Sequence, residues 1–177
     1  MQLFGWRFKG DVPTDKKYVV ISVPHTSKID FVWGEFAFSS KGVKPIIFIK
    51  KEAFKFPLGI LLRRLGAKPV NRDRGAIGLV DQRIHYFNTN DEFIVCITPE
   101  GTREFRKKWK RGFYFIAQKA KIPIYLGYVD YNKKVCSIGE RFDPTGDINA
   151  DMESIRNHYK NLKPKPKHAE KFTFDFS

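Results

Sequence analysis

Short apolar runs alternate with helix-length segments along most of the chain. Tyr18-Val19-Val20-Ile21-Ser22-Val23 is rich in β-branched residues and predicts a buried strand. Pro45 to Ile49, Glu92 to Thr98 and Ile122 to Val129 predict three more, with Pro123 near the start of the last, where sheets tolerate it. Tyr131-Asn132-Lys133-Lys134 reads as a turn into Val135 to Gly139, which makes a hairpin. Ile29, Trp33 and Phe36 recur at helical spacing and predict a helix with that face in the core, ended by Ser39-Ser40-Lys41-Gly42. Helices are also expected over 75–87, with Ile77, Val80, Ile84 and Phe87 on one face and His85 off it, over 112–121, and over about 149–161 through Met152, Ile155 and Tyr159. Gly66 to Arg72 is a turn followed by a short extended piece.

The chain has 177 residues, enough for one domain over 1–177 whose last part, 162–177, is a Lys/Pro-rich linker and tail. Lys163-Pro164-Lys165-Pro166-Lys167 predicts a stiff extended linker outside the core. Phe172-Thr173-Phe174-Asp175-Phe176 alternates like an edge strand, with insertion into lipid as the other reading. A hydrophobic content of 42% with 17 Phe argues against disorder. The net charge of +14 favours an anionic partner: a lipid surface, nucleic acid or a phosphorylated ligand. Cys96 and Cys136 lie in apolar runs without metal-ligand spacing, so reduced, buried thiols are expected. The N-terminus has no signal-like apolar core and no run of about 18 apolar residues occurs, so a cytoplasmic protein, peripheral on the inner face of the cell membrane, is expected. Residues 50–64 set Phe54, Phe56, Leu58 and Ile60 among Lys and Arg, a pattern suited either to an anionic membrane surface or to a core helix with solvated flanks.

Candidate chemistry centres on Val23-Pro24-His25-Thr26-Ser27-Lys28-Ile29-Asp30. A neutral imidazole accepts a proton near neutral pH when a second group fixes its tautomer. On one helix, residues five apart diverge by about 140°. His25 and Asp30 therefore meet only across a bend, which Pro24 and a Ser27/Asp30 capping box opening a helix near residue 28 supply. Taken alone, the pair is better explained by Asp30 as a cap and His25 as a plain loop residue, and only the blocks further along reverse that preference. A second loop, Pro99-Glu100-Gly101-Thr102-Arg103, follows the strand at 92–98, where ligand loops of α/β sheets lie. Gly101 permits close backbone approach, Glu100 and Thr102 offer hydroxyl-binding groups, and Arg103 offers positive charge. Arg72 is a further candidate for gripping a phosphate, and Lys107-Lys108-Trp109-Lys110-Arg111 fits a phosphate-rich ligand, a membrane rim or a solvated face.

In order, His25-x-x-x-x-Asp30, Gly66 to Arg72, Pro99-Glu100-Gly101-Thr102-Arg103 and Ile122-Pro123-Ile124 resemble the glycerolipid (1-acylglycerol-3-phosphate) acyltransferase family over about residues 18 to 129. The resemblance implies a single α/β domain with a mixed β-sheet flanked by helices. It also implies His25 as general base, Asp30 as its orienting partner, and Arg72, Glu100, Gly101, Thr102 and Arg103 as acceptor-binding residues. The acyl donor would be an acyl-CoA or acyl carrier protein thioester and the acceptor a lysophospholipid, with no metal and no cofactor. The second block has Pro69, Val70 and Asn71 where the family often carries an aromatic or branched residue and an Asp, and the fourth lacks a second Pro. Two other readings stand beside this one. A thioesterase-like hydrolase would use the same pair on water, without the Gly-x-Ser-x-Gly elbow of serine hydrolases. A non-catalytic basic module would bind membrane or nucleic acid, although neither zinc-finger spacing nor an RNA-recognition signature is present, and nucleic acid is not the expected partner.

Overall fold

The computed structural model of the chain describes residues 5–64, 67–70 and 75–175. Among the described residues seven strands and five helices succeed one another: β1 (Arg7–Lys9), β2 (Lys17–Ser22), α1 (Ile29–Ser39), β3 (Ile47–Lys50), α2 (Leu58–Arg64), β4 (Ala67–Val70), α3 (Gly75–Thr89), β5 (Phe93–Ile97), α4 (Gly112–Ala120), β6 (Ile124–Asp130), β7 (Val135–Phe142) and α5 (Ile148–Leu162). The main sheet has the order β1-β7-β6-β2-β5, and β3 and β4 form a separate parallel pair. An isolated parallel bridge between Ile46 and Val95 ties the start of β3 to the β5 edge. β2 runs parallel to both β5 and β6, β1 runs parallel to β7, and the β6–β7 hairpin is antiparallel. The sheet is thus mixed and flanked by helices, an α/β domain as the resemblance implied.

β2 and β6 are the inner strands, and their sequences show it. Val19 and Ile21 point into the larger cluster, with Phe113, Ile116 and Ala117 of α4 and Met152, Ile155 and Tyr159 of α5. Tyr18 and Val20 point to the opposite face, toward Phe38 of α1. Burial on both faces removes the polar alternation that a half-exposed strand would display.

Four expectations change. The face of α1 expected in the core is turned outward: Ile29 and Phe36 are exposed, with Val32 beside them, while Trp33 is half-buried and stacks on Trp6. The buried positions are Asp30, Ala37 and Phe38. The helix is apolar nearly all round, so hydrophobic spacing alone does not set its rotation. The Asp30 carboxylate does, because it is held from both sides, and Ala37, two turns on, follows it inward.

The C-terminal tail is neither an edge strand nor free. A short 3-10 turn covers Ala169–Lys171, and Phe172 and Phe174 pack, half-buried, against the main core. Lys163 to Lys167 carries no regular structure, yet Pro164 is buried and the Lys165 carbonyl accepts from the Tyr131 amide at 2.9 Å. The segment is a strap on the domain rather than a linker. Trp109, read with its basic neighbours as a ligand or membrane contact, is instead 5% exposed and packs edge-on against Tyr159. Arg72, Gly66 and Phe176 lie outside the described residues.

Candidate active site

Parallel pairing brings the two motif loops together. Ile21 of β2 lies opposite Ile97 of β5, so both strands end at the same level. His25 follows the end of β2 at the same short interval as Glu100 follows the end of β5, and they meet: the His25 amide donates to Glu100 Oε1 at 3.1 Å.

The bend expected between His25 and Asp30 is present. α1 begins at Ile29 with no side-chain cap on Lys28. Ser27 Oγ accepts from the Ile29 amide at 3.3 Å, and Asp30 reaches back so that its Oδ2 accepts from the Thr26 and Ser27 amides at 2.8 and 2.9 Å. A carboxylate in the first turn is also favoured by the helix dipole. The same Oδ2 lies 3.2 Å from His25 Nδ1, and the other oxygen, Oδ1, accepts from the Tyr131 hydroxyl at 2.6 Å. Asp30 therefore both closes the loop and pairs with the imidazole.

A carboxylate can only accept, so the proton of this contact sits on His25 Nδ1 and the Nε2 lone pair is left for another group. Burial disfavours charge on Asp30, whose exposure is 6%. The hydrogen bonds from His25, Tyr131 and the Ser27 amide outweigh it and hold the carboxyl below its ordinary value. Glu100 behaves oppositely. Burial pushes it up to about 8, against the pull of backbone amides including that of His25. Its Oε2 has no hydrogen-bond partner among the described residues, and the residue is only 4% exposed. The Glu100 carboxyl is thus turned into the protein, holding the His25 loop.

Gly101 takes a left-handed φ of 65°, and its amide donates to the Thr98 carbonyl at 3.0 Å, making the tight turn the sequence suggested. The Lys110 amide donates to the Pro99 carbonyl at 2.8 Å and closes the loop at its base, with buried Trp109 as its anchor. Thr102 and Arg103 are partly exposed on this loop.

His25, Gly101, Thr102 and Arg103 all line one cavity of about 1590 Å³. Its walls differ in character. On the α1 side, Val20, Phe31, Phe38 and Ile138 make an apolar wall interrupted by Glu35 and Cys96. Around the second loop Arg103, Arg106, Lys110, Arg111 and, from the first loop, Lys28 add positive charge. Burial pushes Glu35 up to about 7 and the Cys96 thiol up to about 12. Cys96 and Cys136 are both unbridged, in keeping with the reduced thiols expected, although Cys96 is only half-buried.

Tyr131, Glu35 and the contribution of Arg106 to the cavity wall escape a reading of the sequence. Tyr131 stands in a stretch that reads only as a turn, and its partner is 101 residues away. Arg106 carries no motif signal beyond its charge.

The acyltransferase family model matches residues 6–126, more than half of the chain, which therefore belongs to the acyltransferase family. No curated protein and no solved structure matches it. The chain is an acyltransferase by family, and the two loops described above lie within the matched segment.

Proposed function

We propose that the chain transfers a fatty acyl group from an acyl-CoA or acyl carrier protein thioester to the hydroxyl of a lysophospholipid, 1-acylglycerol-3-phosphate being the acceptor the motifs favour. The observation that carries the reading is the His25 Nδ1 to Asp30 Oδ2 contact of 3.2 Å at a cavity with one apolar and one basic wall. Ordinary small-molecule sites occupy roughly 300–1,000 Å³. A cavity of about 1590 Å³ therefore has room for an acyl chain and a phosphate-bearing acceptor together.

In the proposed reaction, His25 Nε2 removes the acceptor hydroxyl proton as that oxygen attacks the thioester carbonyl. The tetrahedral intermediate collapses, the C–S bond breaks, and the thiolate leaves and takes up a proton from the imidazolium. Asp30 keeps the tautomer and steadies the transient imidazolium. A positioned base contributes about 10²–10⁴-fold, and the alignment of two bound substrates supplies a further part. Arg103, with Arg72 as its sequence-level companion, is assigned to the acceptor phosphate, and Gly101 and Thr102 to the backbone and hydroxyl contacts beside it. The buried Glu100 carboxyl supports the base loop rather than the glycerol portion.

Approach to lipid is assigned to apolar side chains outside the core. Phe56 is 86% exposed, with Ile60 and the exposed Arg63 and Arg64 beside it in sequence, and α1 adds Ile29, Val32 and Phe36. Such a surface suits an anionic membrane face. Among the described residues no helix is long and apolar enough to cross a membrane.

The test offers the purified protein acyl-CoA and acyl carrier protein donors, each with and without a panel of lysolipids. Thiol release that requires a lysolipid and yields the diacyl product supports transfer. Release indifferent to the acceptor turns the reading to a hydrolase.

A further inference from the structure

Asp30 presents its two oxygens to different parts of the molecule. Oδ2 takes its own loop: the Thr26 and Ser27 amides and His25 Nδ1. Oδ1 takes the Tyr131 hydroxyl, which arrives from the far end of β6, beyond the segment matched to the family. Among the described residues no other hydrogen-bond donor to Oδ1 is found.

We propose that Tyr131 is a positioning residue for acyl transfer, its hydroxyl fixing the plane of the Asp30 carboxylate and through it the direction of the His25 imidazole. The proposal rests on the acyltransferase mechanism above and adds a residue to it.

Tyr131 is itself held through its ring and its backbone. Its ring meets Trp6 edge-on at 5.2 Å, Trp6 stacks on Trp33 of α1 at 4.4 Å, and its amide donates to the Lys165 carbonyl at 2.9 Å. The strap carrying Lys165 also reaches the base loop, where the His168 amide donates to Thr26 Oγ1 at 3.2 Å. A phenol clamped in this way delivers its hydroxyl with little freedom of its own, whereas a carboxylate bonded through one oxygen keeps the freedom to rock about its Cβ–Cγ bond. Rocking would swing Oδ2 off the line of the imidazole, and small misplacements of catalytic groups are costly. The titratable groups facing Asp30 are His25 from its own loop, Glu100 from the loop after β5, and Tyr131 and Cys136 from the β6–β7 hairpin. Of these, Tyr131 and His25 are the side-chain donors to it.

The experiment compares wild type with Tyr131→Phe, which keeps the ring among its neighbours and removes only the hydroxyl. Expected are a kcat lower by roughly ten- to hundredfold, unchanged KM for donor and acceptor, and an acid limb of the pH–rate profile moved to higher pH. The carboxyl of Asp30, followed by ¹³C NMR, titrates at higher pH in the variant because a donor to its ionised form is gone. Wild-type kcat and an unmoved Asp30 titration in a folded variant overturn the proposal, as does a fall in melting temperature with kcat per folded molecule intact. If the variant does not fold, the hydroxyl proton of Tyr131 is read in the native protein: a downfield, slowly exchanging resonance supports the bond, and a rapidly exchanging one overturns it. Should wild type transfer no acyl group to any acceptor, the function proposed above fails, and the NMR comparison still decides whether Tyr131 controls Asp30.

Discussion

The protein grips two buried aspartates in nearly the same way and uses them differently. Asp30 takes two amides and the Tyr131 hydroxyl at the ends of β2 and β6. Asp151, on α5, takes the Tyr114 hydroxyl at 2.8 Å, the Thr145 amide at 2.7 Å and the Thr145 hydroxyl at 2.8 Å. In both cases burial works against the charge, the hydrogen bonds outweigh it, and the carboxyl stays below its ordinary value. The difference is one ring. Asp30 also meets an imidazole that opens on the cavity, while all three donors to Asp151 are neutral groups that do not change state near neutral pH. On the proposed mechanism the same grip makes a joint in one place and a catalytic support in the other, and the carboxylate alone does not reveal which.

His25→Ala breaks that difference at its largest. Acyl transfer is expected to fall by about 10²–10⁴-fold. Folding should change little, because the loop is held through the His25 amide and the Asp30 carboxylate rather than through the ring. Steady-state kinetics and a thermal melt on one preparation check both halves, and equal rates in variant and wild type would sink the general-base assignment.

Asp151→Ala exchanges the two readouts. It leaves the Thr145 amide and hydroxyl without their acceptor and removes the link from α5 to Tyr114 of α4. Loss of a buried acceptor of this kind costs about 2–4 kcal/mol. Urea unfolding should show it, while kcat per folded molecule stays at the wild-type value. A large drop in kcat at unchanged stability would mean that the two aspartates are not the pair contrasted here.

Acid treats both sites alike. Because Asp30 and Asp151 ionise more readily folded than unfolded, their contribution is complete above the unfolded value of about 3.9 and is lost as pH falls through the lower folded values. Melting temperature should therefore fall steeply below about pH 4. The fall should be shallower in Asp151→Asn, whose side chain no longer titrates. Melts of equal steepness in the two proteins would show that the Asp151 grip does not favour the charged form.

How far the sequence reached follows from the range of the forces involved. Strands β2 and β6 were legible because burial on both faces demands continuous apolar, β-branched runs, β5 because its five residues Phe93 to Ile97 are all apolar, and the β6–β7 hairpin because its turn is local. β1 was not, since Arg7-Phe8-Lys9 is short and pairs with residues near 136. His25 and Asp30 could be brought together by reasoning about one bend. The outward turn of Ile29 and Phe36 could not, because a long-range bond to Tyr131 helps set the rotation of α1. Glu100 was located as a site residue, but its inward direction depends on the register of β2 with β5.

The smallest expected effect sharpens the contrast from the opposite side, through a carboxyl kept neutral. Burial raises Glu100 to about 8, so the folded protein holds a proton there that the unfolded chain, at about 4.3, releases. For an acid raised in this way the stabilising contribution is present at low pH and is lost as pH climbs from about 4.3 through about 8. Glu100→Gln keeps an oxygen for the His25 amide and has no proton to lose. Its melting temperature should therefore decline less than that of wild type between pH 6 and pH 8.5, with Glu35, raised to about 7, accounting for part of what decline remains. Transfer activity should stay within a few-fold, because the amide supports the base loop as the acid did. An unchanged pH slope would show that Glu100 is charged in the fold, and a collapse of activity at normal stability would return it to the acceptor side of the cavity.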